Sequence, residues 1–332
     1  MVGGGGATAQ HPAGTLARLL AEDTATIVLD GGLATQLEAQ GADLSDTLWS
    51  ARLLLEDPEE IVRAHLAFYR AGAQVAISAS YQATFQGFAA RGIDRDDAEA
   101  LLRLSVRLAD DARRRWLEER GESGPPLLVA ASVGPYGAML ADGSEFRGRY
   151  GLSVEELVDF HRERMAVLAD AGPDLLACET IPELEEAVAI GRLIDEIGTT
   201  AWLSFSCRDG GHLRSGVPIE EAIAVADAAD GVVAVGVNCT APEHVDELLS
   251  RARARTRKPL LVYPNSGERW DADDRAWTIA PTEAGVERVA VDRISARRWA
   301  DEGARLIGGC CRVSPDAIAV LATELQSPPA GR

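Results

Sequence analysis

Three of the five cysteines stand where a metal could be held. Cys239 lies in Val237-Asn238-Cys239-Thr240, and Cys310 and Cys311 lie in Gly308-Gly309-Cys310-Cys311. Each group follows an apolar run that reads as a strand, VVAVGVN and ARLIGG. Three thiolates make a soft site suited to Zn2+, with the fourth tetrahedral position left open. Successive strand side chains point to opposite faces, so an adjacent pair can share one ion only where the strand has ended or bulged. Gly308 and Gly309 would supply the backbone freedom for that. A free cysteine is often a small buried core residue, and a vicinal disulfide is a further reading of Cys310 and Cys311. The disulfide leaves Cys239 unexplained. Three cysteines at strand ends outweigh the core reading that each would carry alone. Cys178 and Cys207 have no partner spacing and read as packing thiols. Of His11, His65, His161, His212 and His244, only His212 could line the same rim, and a surface position is its plainer reading.

Acidic residues add a second feature. Asp30 ends the first strand-like run and Glu179 the fourth, so both can face that rim. Two carboxylates there could hold an ammonium group. The amides of Gly31, Gly32 and Leu33, at a helix start, could hold a carboxylate. With a thiol-seeking metal, the set describes a receptor for a thiol amino acid. Asp30 as a plain helix cap is the competing reading.

The elements that must position these groups are eight apolar runs, each followed by a helical pattern. They are ATIVLD, AQVAISA, LLVAAS, DLLACE, AWLSFS, VVAVGVN, PLLVYP and ARLIGG. Continuous apolarity suits buried parallel strands. Helix punctuation agrees. Asp57-Pro58-Glu59-Glu60 opens one helix and Gly72 closes it, Ser153 and Glu156 form a capping box with Gly172 at the far end, and Ser314-Pro315-Asp316 opens the last. Eight strand–helix repeats without a central linker predict a single α/β domain, a (β/α)8 TIM-type barrel over residues 16–326, with its metal site at the C-terminal rim of the strands. An open doubly wound sheet is the alternative, but Asp30-Gly31-Gly32-Leu33 does not match G-x-G-x-x-G. Two connections are long for barrel loops, residues 134–151 after the third strand and 264–281 after the seventh, and both are candidate lids.

Composition excludes several function classes. There are 33 basic and 52 acidic residues, a net charge of −19, which repels phosphate backbones and argues against nucleic-acid binding. No apolar stretch reaches about 20 residues, so no membrane-spanning helix is expected. Residues 1–15 lack the pattern of a secretory signal and read as a flexible arm, and residues 327–332 as a flexible tail. An odd number of cysteines, two of them adjacent, fits a reducing cytoplasm better than a disulfide framework.

The chain resembles the homocysteine S-methyltransferases that use S-methylmethionine, within the wider group that includes betaine–homocysteine methyltransferase. The resemblance is carried by Asp30-Gly31-Gly32-Leu33-Ala34-Thr35, Leu48-Trp49-Ser50-Ala51, Ser80-Tyr81-Gln82-Ala83-Thr84, Gly134-Pro135-Tyr136-Gly137-Ala138 and Asp142-Gly143-Ser144-Glu145. It continues in Cys178-Glu179-Thr180-Ile181-Pro182, Gly236-Val237-Asn238-Cys239-Thr240, Tyr263-Pro264-Asn265-Ser266-Gly267-Glu268 and Gly308-Gly309-Cys310-Cys311-Arg312. The resemblance implies a (β/α)8 fold, one zinc on Cys239, Cys310 and Cys311, and homocysteine as methyl acceptor. It also implies amino-acid contacts at Asp30, Glu179, Asn238 and the amides of Gly31 to Leu33. Gln36 stands where the family usually has glutamate, which bears on substrate preference and not on the metal. S-methylmethionine is the expected donor and S-adenosylmethionine a second candidate. A selenol such as selenocysteine or selenohomocysteine is an alternative acceptor. From other classes, a zinc hydrolase would want histidine or carboxylate ligands, and a non-catalytic zinc-stabilised barrel would close its site with a fourth protein ligand.

Overall fold

The eight runs become eight parallel strands. They are β1 (Ile27–Val28), β2 (Val75–Ile77), β3 (Leu128–Val133), β4 (Leu175–Ile181), β5 (Ala201–Phe205), β6 (Val232–Asn238), β7 (Leu260–Tyr263) and β10 (Ala304–Ile307). Between the last two, β8 (Arg269–Asp271) and β9 (Ala276–Thr278) pair as a small antiparallel ribbon. In this computed structural model the described residues are 16, 19–20, 26–43, 50–121, 123–267, 269–271, 276–278 and 293–326. The proposed arm, the proposed tail, Leu48, Trp49, Glu268 and part of the second long connection lie outside them.

The sheet order is β1-β10-β7-β6-β5-β4-β3-β2, all parallel. The two edges meet through a Leu29–Val75 bridge, so the sheet closes into the expected (β/α)8 barrel. Side chains stiffen this seam. Gln74 accepts from the Val28 amide at 3.2 Å, and Asp30 Oδ2 accepts from the Ile77 amide at 2.7 Å.

Strand alternation sorts the core into two shells. Ile27, Leu29, Val75, Leu128, Ala130, Leu175, Ala177, Trp202, Ala234, Leu261 and Leu306 fill the barrel interior, joined by Leu16 and Leu19. The opposite parity, with Val28, Ala76, Val129, Leu176, Leu203 and Val235, packs against the surrounding helices. Counting inward positions upward by two reaches Ser132, Glu179, Ser204 and Tyr263 at the strand tops. The site therefore follows from the same periodicity as the core.

Local punctuation is mostly as expected. Ser153 and Glu156 form a reciprocal capping box on helix Val154–Asp170, and Pro58 opens helix Pro58–Arg70. Asp57 occupies the N-cap position but makes no side-chain cap hydrogen bond. The connection after β3 is structured, with a helical turn at Tyr136–Leu140 and a 3-10 turn at Ser144–Phe146.

Candidate active site at the strand tops

Cys239 sits immediately after β6 and leaves it in a left-handed conformation, φ +47°. β10 ends at Ile307, and Cys310 opens a turn in which the Val313 amide donates to the Cys310 carbonyl at 3.1 Å. The vicinal pair thus lies beyond the strand, as two adjacent ligands require. Gly308 and Gly309 matter for a different reason from the one expected. Neither has positive φ; both are small because a Cβ at Gly308 would lie 2.5 Å from Leu29 Cβ, and one at Gly309 would run into the Val313 side chain. Room, rather than backbone freedom, demands glycine there.

The three thiols converge. Cys239 Sγ and Cys311 Sγ are 3.7 Å apart, and all three sulfurs lie within 4.8 Å of one another. Sulfurs bound at about 2.3 Å to a tetrahedral ion stand roughly 3.8 Å apart, so the donor set fits a zinc-sized soft cation. Among the described residues no further histidine, cysteine, aspartate or glutamate joins them. His212 turns to Asp209 at 2.9 Å and is not on the pocket wall. The Cys311 thiol is held well below its ordinary value because Cys239 and Cys310 hydrogen-bond to it, with the Arg312 charge helping. Cys178 and Cys207 are buried core thiols, as expected.

The thiols form one side of a pocket of about 870 Å³ including its open mouth. Gly31 to Thr35, Tyr81, Ser132, Glu145, Phe146, Glu179, Thr180 and Tyr263 complete most of its wall. Glu179 accepts from Ser132 Oγ at 2.5 Å, and burial pushes its carboxyl up to about 7. Glu179 and Thr180 face the same pocket although adjacent. Strand β4 slips register between Cys178 and Ile181, and Thr180 is left-handed at φ +63°.

Asp30 and Asn238 are placed behind this wall. Asp30 does not cap the following helix, whose N-cap is Gly32. It bridges the barrel seam with Oδ2, and its buried Oδ1 has no hydrogen-bond partner among the described residues. Asn238 accepts from the Thr180 amide (2.8 Å) and Ser204 Oγ (2.7 Å), donates to Thr180 Oγ1 (2.8 Å), and has Nδ2 4.0 Å from Cys310 Sγ. It pins the β4 irregularity beside the cysteines. The Gly32 amide is engaged with the Val313 carbonyl at 2.9 Å, so of the three expected amides only those of Gly31 and Leu33, both pocket-lining residues, are without a backbone acceptor among the described residues. Ser132 was recoverable from inward parity; Tyr81, Glu145 and Phe146 were not, because loops carry them.

The family model described as homocysteine S-methyltransferase matches residues 27–325. The chain belongs to the homocysteine S-methyltransferase family. Members similar to it include homocysteine S-methyltransferase YbgG of Bacillus subtilis, 48% identical over 91% of this chain and 95% of that protein. A selenocysteine Se-methyltransferase of Brassica oleracea is 46% identical over 94% and 92%. Among solved structures, this homocysteine S-methyltransferase superposes on the metallated form of the Escherichia coli homocysteine methyltransferase MmuM with a TM-score of 0.82. That match has 46% identity and covers 92% of this chain and 98% of the other. The three-cysteine cluster, the pocket and the single closed barrel all fall within the matched residues. Among the described residues no helix is long and apolar enough to cross a membrane.

Proposed function

We propose that the chain transfers a methyl group from a sulfonium amino acid, S-methylmethionine, to the thiol of homocysteine, with one zinc held by Cys239, Cys310 and Cys311. The observation that carries this reading is the convergence of three thiols on one wall of a pocket that also presents Glu179. An alkyl thiol titrates near 8.5, and bound zinc would supply the acidity that makes it a thiolate at neutral pH.

The remaining work belongs to the chain's own groups. Glu179, fixed by Ser132, takes the substrate ammonium, with Asp30 Oδ1 behind it as a second acceptor. The Gly31 and Leu33 amides take the carboxylate, and Asn238 steadies the wall. The thiolate attacks the methyl carbon in line, and the breaking S–C bond releases a neutral thioether. That leaving group needs no proton, so no general acid is required; positioning dominates. A donor set of three cysteines, with no further histidine, cysteine or carboxylate beside them among the described residues, supports this over a closed structural site, and its all-sulfur character supports it over hydrolysis. The match to a selenocysteine Se-methyltransferase supports a selenol as a second acceptor. Five free cysteines support a reducing, cytoplasmic setting.

The test is methionine formation from homocysteine with S-methylmethionine, S-adenosylmethionine and betaine at matched concentrations, using metal-loaded protein. S-methylmethionine should give the highest kcat/KM. A higher value with either other donor overturns the donor assignment, and no methionine from any sulfonium overturns the reaction.

A further inference from the structure

A second recess adjoins the thiol pocket, and its charge is opposite to that of the molecule. In a chain of net charge −19, it is lined by Arg147, Arg149, Arg208 and Arg214 with Phe146 and Gly148. Phe146 is the shared wall, since it also lines the thiol pocket. Arg214 joins the two spaces. It donates from Nη2 to the Cys239 carbonyl at 3.4 Å and from Nε to Ser206 Oγ at 3.1 Å, and its guanidinium lies 5.6 Å from the Phe146 ring centroid.

Arg149 and Arg208 approach the same spot. A Cβ at Gly216, where φ is +97°, would lie 3.1 Å from Arg149 Nη2 and 3.1 Å from Arg208 Nη1. Arg147 pairs with Asp142, and Arg208 with Asp209 at 3.1 Å. The Arg149 guanidinium donates to the Ser215 carbonyl at 2.7 Å, while the Arg149 backbone amide donates to the Glu183 carboxylate; among the described residues neither the Arg149 nor the Arg214 guanidinium pairs with a carboxylate. Like charges that converge without a counter-ion repel, and a guanidinium fork is shaped for a carboxylate.

We propose that Arg149, Arg208 and Arg214 form the subsite for the carboxylate of the methyl donor, with the sulfonium end passing Phe146 toward the thiols. The proposal rests on the donor being a sulfonium amino acid. The reach is suitable. Four bonds near 1.5 Å separate sulfonium sulfur from carboxylate carbon, about 5 Å when extended. The transferable methyl must come within about 3.5 Å of the attacking sulfur. Arg214, bonded to the backbone of Cys239 itself, stands on that scale from the reacting atoms.

The test compares S-methylmethionine with (3-aminopropyl)dimethylsulfonium, the same cation without its carboxylate. Wild-type protein should show a KM at least about tenfold lower for S-methylmethionine, as loss of a charge-assisted contact implies. In Arg149→Gln/Arg208→Gln the KM for S-methylmethionine should rise about tenfold, so that the two donors converge. Homocysteine KM and bound metal should stay as in wild type. Arg149→Lys/Arg208→Lys should recover part of the difference. A gap that persists in the Gln variant, or KM values that rise together for both donors, overturns the subsite. If wild-type protein makes no methionine from S-methylmethionine, the functional reading falls first and takes the subsite with it.

Discussion

Glu179 and Asp30 are both acidic, buried and close to strand ends, yet the barrel sets them different tasks. Glu179 is reached by counting inward from Leu175 and Ala177, so its side chain meets the pocket. Asp30 has the parity of Val28 and uses one oxygen to hold the Ile77 amide across the seam. Glu179→Gln should therefore weaken homocysteine binding about tenfold or more while metal content stays constant, measured by titration calorimetry on loaded protein. Asp30→Asn keeps an acceptor for Ile77 and should leave Tm nearly unchanged with a smaller loss of affinity; Asp30→Ala should lower Tm. Unchanged affinity in Glu179→Gln would make that carboxylate structural. The direction of Glu179 was legible in the sequence because alternation is a property of any strand. The pocket side of Thr180 and the inward turn of Cys239 were not, because both depend on left-handed residues that break alternation.

At the scale of elements, the eight strands were legible from continuous apolar runs, but the anchoring of the connection after β3 was not. Its anchors come from two helices outside the barrel, and no local spacing marks them. Arg164 donates to the Gly134 carbonyl at 2.5 Å and to His161 Nδ1 at 2.9 Å. Because arginine only donates, Nδ1 accepts, and Nε2 carries the proton that His161 gives to Glu186 at 2.8 Å. Glu186 also accepts from the Tyr136 amide at 2.6 Å, so the start of the loop is held at both Gly134 and Tyr136. Burial pushes the Glu186 carboxyl from an ordinary 4.5 up to about 8 and that of Glu183 to about 7, and it keeps His161 neutral. Between these values the two carboxyls bind more protons in the folded chain than in the unfolded one, whereas a neutral buried His161 binds fewer below its ordinary 6.5. The carboxyl contribution to stability is complete below about pH 4.5 and is lost as pH rises through 7 to 8. Thermal scans from pH 7 to 9, where histidine is neutral in both states, should show Tm falling, and Glu186→Gln should flatten the slope. Parallel curves for wild type and variant would mean that Glu186 is ionised in the fold, as the partner of Arg164.

For the whole molecule, the order β6-β7-β10 sets Cys239 two strands away from the vicinal pair, so a metal on all three ties together distant parts of the chain. The barrel itself closes elsewhere, at the β1–β2 seam, through one backbone bridge and the side chains of Gln74 and Asp30. Closure does not depend on the metal, so the metal-free chain should fold and bound metal should add stability by mass action. Free metal at a thousandfold excess over Kd adds about 4 kcal/mol. An unfolding entropy of about 2.1 cal/mol/K per residue turns that into roughly 6 °C for a barrel of this size. Differential scanning calorimetry before and after chelation under reducing conditions should show a drop of that order, reversed by adding zinc. Cys239→Ser, Cys310→Ser and Cys311→Ser should each fold with the lower Tm, lose bound metal and no longer respond to chelator. Cys178→Ser and Cys207→Ser should lower Tm through core packing yet keep the chelator response, because neither thiol reaches the cluster. A chelator response that survives in any of the first three variants, or disappears in either of the last two, would overturn the ligand assignment.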